Sequence, residues 1–136
     1  MVYGDDERVA QWVKERIPYV INGFGPCVTI GVAREDKLIA GIVYHEWKPA
    51  YRSMQVSIAG DGHWCSKRVM RAFYAYPFLQ MDAVRITAMV AANNKRSGDF
   101  VLRLGFQFEG NIRLGCGEKD CLIFGQLKSE ATQWIG

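Results

Sequence analysis

The sequence predicts a single α+β domain spanning residues 1–136, a mixed sheet covered by helices. Three observations carry that prediction. Val9, Trp12, Val13 and Ile17 recur at three- and four-residue intervals, the period of a helix with one apolar face. Met54, Val56 and Ile58 alternate with Ser53, Gln55 and Ser57, the period-two signature of a strand with one buried face. Between Val84 and Gly110 a strand, a polar turn, an amphipathic helix and a second strand follow one another. That arrangement commonly leaves a ligand crevice at the end of a sheet.

In order, the first helix is expected over Asp5 to Ile17, with Asp5 or Asp6 capping its start. Pro18, Asn22, Gly23, Gly25 and Pro26 break the chain into an irregular connection. Cys27 to Ala33 and Leu38 to Trp47 read as an antiparallel hairpin, turning at Arg34-Glu35-Asp36-Lys37. A loop, Lys48 to Arg52, leads to the strand Ser53 to Ala59, which Gly60-Asp61-Gly62-His63 ends. The next helix is expected from Trp64–Ser66 to Met81, with Val69, Met70, Phe73, Tyr74 and Phe78 on its apolar face. Pro77 has no amide hydrogen to donate and should kink it. Arg85 to Ala91 is apolar and partly β-branched, as a central strand is. Asn93 to Ser97 supplies capping groups for a helix striped by Phe100, Val101 and Leu104, with Gly105 as its left-handed exit. Phe106 to Leu114 and Asp120 to Lys128 form a second hairpin, and the tail SEATQWIG has no strong pattern. There are no repeats, low-complexity tracts or linkers.

Composition narrows the class. At 136 residues, 49% hydrophobic and 23% charged, the chain is long enough to bury a core and has ordinary globular chemistry. No apolar run approaches the ~20 residues of a membrane span. The acidic start MVYGDDERVAQW is unlike a secretory signal, so the expectation is a cytoplasmic protein with no membrane association. Cys27, Cys65, Cys116 and Cys121 show no paired CxxC spacing, and only His45 and His63 could add ligands. Reduced thiols and no metal are expected. The net charge of +3, from 17 basic and 14 acidic residues, suits an anionic small ligand or weak nucleic-acid binding and decides neither.

An ordered set of motifs goes further: Asn94-x-x-Ser97, then Leu104-Gly105-Phe106, then Glu109-Gly110-x-x-Arg113, preceded by AFYAYPFLQMDAVRITA. From Ser53 to Lys128 the chain resembles the GNAT-type N-acetyltransferases. It is most similar to the branch of ribosomal-protein N-terminal acetyltransferases and small phage and bacterial members. The resemblance implies a mostly antiparallel sheet splayed between its fourth and fifth strands, with the first strand reduced to Val2-Tyr3 or missing. It also implies an acyl-CoA-dependent N-acyltransferase that moves acetyl from acetyl-CoA to an amine by direct attack. Coenzyme A would lie along Val56, Ser57 and Ile58, whose backbone would hold the pantetheine arm like an added strand. Its pyrophosphate would meet the helix start at Cys65, Ser66, Lys67 and Arg68. Asn94, Ser97, Phe100 and Arg103 would border it, with Asn93 able to share the role of Asn94. Capping alone also accounts for Asn94 and Ser97, core packing for Phe100, and a solvated helix charge for Arg103.

The chain departs from the family pattern twice. The glycine-rich Q/R-x-x-G-x-G/A turn is absent: Asp61 to Arg68 reads DGHWCSKR, and Trp64 is expected to point away from the ligand. The tyrosine that many members place seven residues after the asparagine is Val101, so Ser97 becomes the candidate for stabilising the departing thiolate. His45 or Glu46 is a candidate general base, histidine having a reference pKa of ~6.5. Adjacent strand residues point to opposite faces, so at most one of the two is expected at the site, and water can serve instead. An acyl-Cys65 route is conceivable but unneeded. The competing class is a non-catalytic module of the same fold, binding a partner or nucleic acid through Lys95, Arg96, Arg103 and Arg113. The acceptor is open among small molecules, protein amines and modified nucleotides. Its selection is expected from the first helix, the Ile17–Pro26 connection and the Glu118 loop, and pairing with a second copy is also open.

Overall fold

In the computed structural model, described for residues 1–20 and 22–135, seven strands form one sheet in the order β1-β2-β3-β4-β5-β7-β6. The strands are β1 (Val2–Tyr3), β2 (Cys27–Arg34), β3 (Lys37–Lys48), β4 (Ser53–Gly60), β5 (Arg85–Ala91), β6 (Gln107–Ile112) and β7 (Cys121–Leu127). The helices are α1 (Asp6–Lys14), α2 (Lys67–Ala75), α3 (Lys95–Leu104) and the short α4 (Thr132–Ile135). Every neighbouring pair is antiparallel except β4 and β5. The expected α+β class and the two-residue first strand are both present. Among the described residues no helix is long and apolar enough to cross a membrane.

The β2–β3 turn is tighter than the four polar residues suggest. Glu35 and Asp36 alone make it, at φ 54° and 66°, the left-handed pair that matches the twist of a hairpin. Strand alternation then divides the core between the two faces of the sheet. Ile42 and Tyr44 pack with Phe73, Tyr74 and Phe78 of the α2 segment, while Val43 packs with Val9 and Val13 of α1.

Three local expectations are corrected. Neither aspartate caps α1 with its side chain. Asp5 pairs with Arg8 at 3.3 Å, and Asp6 Oδ1 accepts from Thr29 N–H at 2.9 Å and Thr29 Oγ1 at 2.8 Å. Thr29 is buried, so its donors need that acceptor more than the exposed helix end does. The helix ending near Met81 is instead α2 followed by a π-helical turn, Tyr76–Gln80. Pro77 cannot donate, and the chain accommodates it by shifting to wider bonding, with Met81 N–H reaching Tyr76 O at 3.0 Å. The patternless tail closes the core: Ala131 is buried, and the Trp134 ring stacks on Tyr74 with centroids 6.1 Å apart.

The glycine exit of α3 is as expected, with Gly105 at φ 105°. Beneath it Tyr74 OH donates to Gln126 Oε1 at 2.7 Å and lies 3.3 Å from Leu104 O, which also receives Gln126 Nε2–H at 3.2 Å. This buried network pins the end of the helix whose beginning borders the cleft.

Candidate functional site

β4 and β5 pair only from Ser53↔Arg85 to Val56↔Ala88, although β4 runs on to Gly60 and β5 to Ala91. Beyond Val56 they part. On its other side β4 stays in register with β3, and Asp61 N–H donates to Ile39 O at 2.8 Å. Alternation from that bond turns the N–H and C=O groups of Ile58 and Gly60 into the gap. Across it, the Met89 carbonyl accepts the Tyr19 hydroxyl at 2.7 Å. Burial, reinforced by the nearby thiols of Cys116 and Cys121, raises the Tyr19 pKa, so the phenol remains a donor.

The gap opens into a cleft of about 1120 Å³. Val56, Ser57, Ile58, Cys65, Ser66, Asn94, Ser97, Phe100 and Arg103 all line it, as does Asn93. Lys67 and Arg68 do not; they sit exposed on the first turn of α2. Ser66 caps that helix, its Oγ accepting Val69 N–H at 3.2 Å. Asn94 caps α3 in the same way, its Oδ1 accepting Ser97 N–H at 3.2 Å. Among the described residues the Ser97 hydroxyl has no protein partner, so it is free to serve whatever enters the cleft. Arg16 to Tyr19 form one wall, and Cys116, Glu118 and Lys119 belong to another, both drawn from stretches expected to select the acceptor. Arg16 spans 3.7 Å to Asp61 and lies over the Trp12 ring, 3.5 Å from its centroid.

A second chamber, about 210 Å³, adjoins the parting point and shares Tyr19, Val56, Ser57 and Met89 with the cleft. His45 and Glu46 both line it, although adjacent residues of a regular strand point to opposite faces. The reason is a β-bulge: the β3–β4 register shifts between His45 and Lys48, and Glu46 adopts φ 53°. A left-handed residue at a bulge breaks the two-residue alternation. His45 Nε2 lies 2.9 Å from Ser57 Oγ, and its ring is tilted against Phe24 with centroids 5.0 Å apart. Burial lowers its pKa, opposed by the Glu46 carboxylate, so the imidazole is mainly neutral at pH 7.

Trp64 also departs from expectation. It does not point away but lines the cleft, its ring against Phe100 with centroids 5.7 Å apart. By contrast, Glu109 of the Glu109-Gly110-x-x-Arg113 motif is structural: it pairs with Arg85 at 2.6 Å. The pair crosses Gly125, where a Cβ would stand 2.5 Å from the carboxylate oxygens. Arg16 falls in the expected first helix and Tyr19 in the Ile17–Pro26 connection, the stretches expected to select the acceptor, but nothing in the sequence marks either residue, or Gln55, individually. Tyr19 and Arg16 lie at and beyond the end of α1, where no periodicity marks a role, and Gln55 reads as one polar position of an alternating strand.

No family model and no curated protein sequence matches the chain. Solved structures do match it. The spermidine/spermine N-acetyltransferase SpeG from Vibrio cholerae, in complex with manganese ions, superposes with a TM-score of 0.70 at 19% identity, over 80% of this chain and 69% of that one. A mutant of SpeG from the same organism matches over 93% of this chain and 78% of that one, with a TM-score of 0.67 at 15% identity. A structure named "Probable acetyltransferase" matches with a TM-score of 0.68 at 21% identity, over 78% of this chain. The chain spans 64% of the length of that protein and 63% of another matched acetyltransferase structure. At these identities the likeness is one of architecture, which in this chain is seven strands with one parallel β4–β5 pair between flanking helices. The chain has the GNAT acetyltransferase fold.

Proposed function

We propose that the chain is an acyl-CoA-dependent N-acyltransferase that moves acetyl from acetyl-CoA to an amine by direct attack. The observation that carries this reading is the parting of β4 from β5, which leaves strand N–H and C=O groups facing a cleft that begins beside Ser97. At about 1120 Å³ the cleft slightly exceeds the ~300–1,000 Å³ of ordinary small-molecule sites, in keeping with an extended nucleotide-bearing cofactor. When bound, acetyl-CoA supplies an activated thioester carbonyl. Ile58 and Gly60 hold the pantetheine arm through their backbone, with Val56 and Ser57 nearer the reacting end. Cys65 and Ser66 receive the pyrophosphate at the α2 start, and Lys67 and Arg68 add positive potential from the adjacent turn. Asn94 orients the α3 start, and Arg103 borders the cofactor. Ser97 donates its hydroxyl hydrogen bond to the sulfur as the C–S bond breaks and charge develops there.

His45 accepts the proton that the attacking amine must lose, and the exposed Glu46 carboxylate attracts that amine as its ammonium form. The second chamber, about 210 Å³ and lined by His45, Glu46 and Tyr19, gives the amine end of the acceptor a place beside the base and the carboxylate. A cytoplasmic site of action accords with acetyl-CoA as the donor. Titration calorimetry with acetyl-CoA tests the reading, and binding is expected. No heat at millimolar cofactor refutes it. Steeply salt-dependent binding of DNA or RNA, together with that absence, establishes the non-catalytic module instead.

A further inference from the structure

Gly60 has no conformational need to be glycine, since it does not lie in the left-handed region that the chain gives to Gly4, Gly62 and Gly105. Its reason is a neighbour. A Cβ at residue 60 would stand 2.5 Å from Trp64 Cδ1 and Cε2, and closer still to Nε1. The indole therefore lies directly against the backbone of the last β4 residue, the one whose N–H and C=O face the gap. The ring also meets Phe100 of α3, with centroids 5.7 Å apart and an interplanar angle of 51°. The β4–α2 turn and α3 are thus joined across the outer cleft by two aromatic rings. The turn itself is tied, with Ser66 N–H donating to Trp64 O at 3.1 Å beside the Ser66 cap of α2. Among the described residues Trp64 Nε1–H has no hydrogen-bond partner, and the side chain is only half-buried. It is a large, mostly apolar surface held in place along the lining of an open cleft.

We propose that Trp64 is a positioning residue for the acyl carrier: its indole, seated on Gly60 and braced by Phe100, walls the pantetheine arm into the β4–β5 gap. This inference rests on the acyl-CoA reading above. It accounts for how DGHWCSKR closes over a cofactor without paired glycines. A glycine-rich turn lets backbone approach the ligand; here the glycine lies in the strand, and the ring it admits makes the approach.

Three variants and one spectroscopic readout test it. Trp64→Ala weakens acetyl-CoA binding about tenfold by calorimetry, the loss of one aromatic wall, and raises KM for the cofactor without lowering kcat at saturation. Trp64→Phe keeps a ring and stays within about threefold of the parent. Gly60→Ala leaves Trp64 in the chain but displaces its indole, and weakens binding as Trp64→Ala does. Acetyl-CoA also shifts the tryptophan emission of the parent protein, and the shift disappears in Trp64→Phe while binding persists. Trp12, Trp47 and Trp134 lie outside the cleft lining and report no such contact. If the parent binds acetyl-CoA but all three variants bind equally and the emission shift survives in Trp64→Phe, this inference falls and the acyl-CoA reading stands. If the parent does not bind acetyl-CoA, both fall. Should Trp64→Ala fail to fold, the emission arm with Trp64→Phe still decides.

Discussion

Tyr19 closes the end of the gap where the strands separate, and removing its hydroxyl isolates what that closure contributes. Tyr19→Phe leaves the ring in place and strips the Met89 carbonyl of its 2.7 Å donor. A sealed, unmet carbonyl costs about 1–3 kcal/mol. Tyr19 is only half-buried and lines both the cleft and the smaller chamber, so water reaches the vacated carbonyl and the cost falls at the low end, about 1 kcal/mol. For a chain of this length that is a drop of roughly 3–5 °C in Tm. Tyr19→Ala also deletes the ring, raising the loss to about 2–4 kcal/mol and merging the two chambers, so selectivity among amines of different bulk should relax. Urea unfolding followed by two probes, with unchanged m-values, gives both stabilities, and acetylation rates on slender and bulky amines give the selectivity. If Tyr19→Phe matches the parent within about 0.3 kcal/mol and Tyr19→Ala loses no more, the hydroxyl does not tie the connection to β5.

The remaining predictions test other parts of the site and its support. Gly41→Ala would place a Cβ 2.5 Å from Val13 Cγ2 and 3.0 Å from Val9 Cγ1, so it should cost about 1–3 kcal/mol of stability. Adding Val13→Ala should recover about 1 kcal/mol in a double-mutant cycle, and strict additivity would contradict that contact. Ser97→Ala should bind acetyl-CoA normally and turn over at least about tenfold more slowly, measured under saturating cofactor; unchanged turnover removes Ser97 from the mechanism. His45 is held below its ordinary pKa by burial, with Glu46 and Tyr19 the other titratable groups lining its chamber. As pH falls below about 6.5 the unfolded chain takes up the histidine proton first, so stability is lost on the acid side and His45 contributes no pH dependence above it. The acid limb of turnover should likewise lie below about 6.5, and a limb unmoved in His45→Gln would exclude His45 as the base.

The legibility of each element followed the range of the interactions that make it. Helix and strand periods, the Gly105 exit and the Asn94 cap depend on neighbours within a turn or two, and all were readable in one dimension. The cleft residues Val56, Ser57, Ile58, Asn94, Ser97 and Phe100 were placed by the resemblance, whose ordered motifs survive as linear text. Motif text does not separate roles, however: Glu109 of the same set serves a cross-strand pair with Arg85.

Other features arose from contacts between residues far apart in the chain. The Tyr19 hydroxyl meets a carbonyl 70 positions away, and the pattern around Tyr19 is irregular. His45 and Glu46 share a chamber because a bulge breaks the alternation that sequence reasoning must assume. The direction of Trp64 was invisible for a related reason. Gly60 looks like a strand terminator in the linear text, yet its missing side chain is a space, and that space exists only once the β4–α2 turn folds the indole back over it. Local propensity specifies backbone conformation residue by residue, whereas which side chain fills which space depends on atoms that only the packed chain brings together.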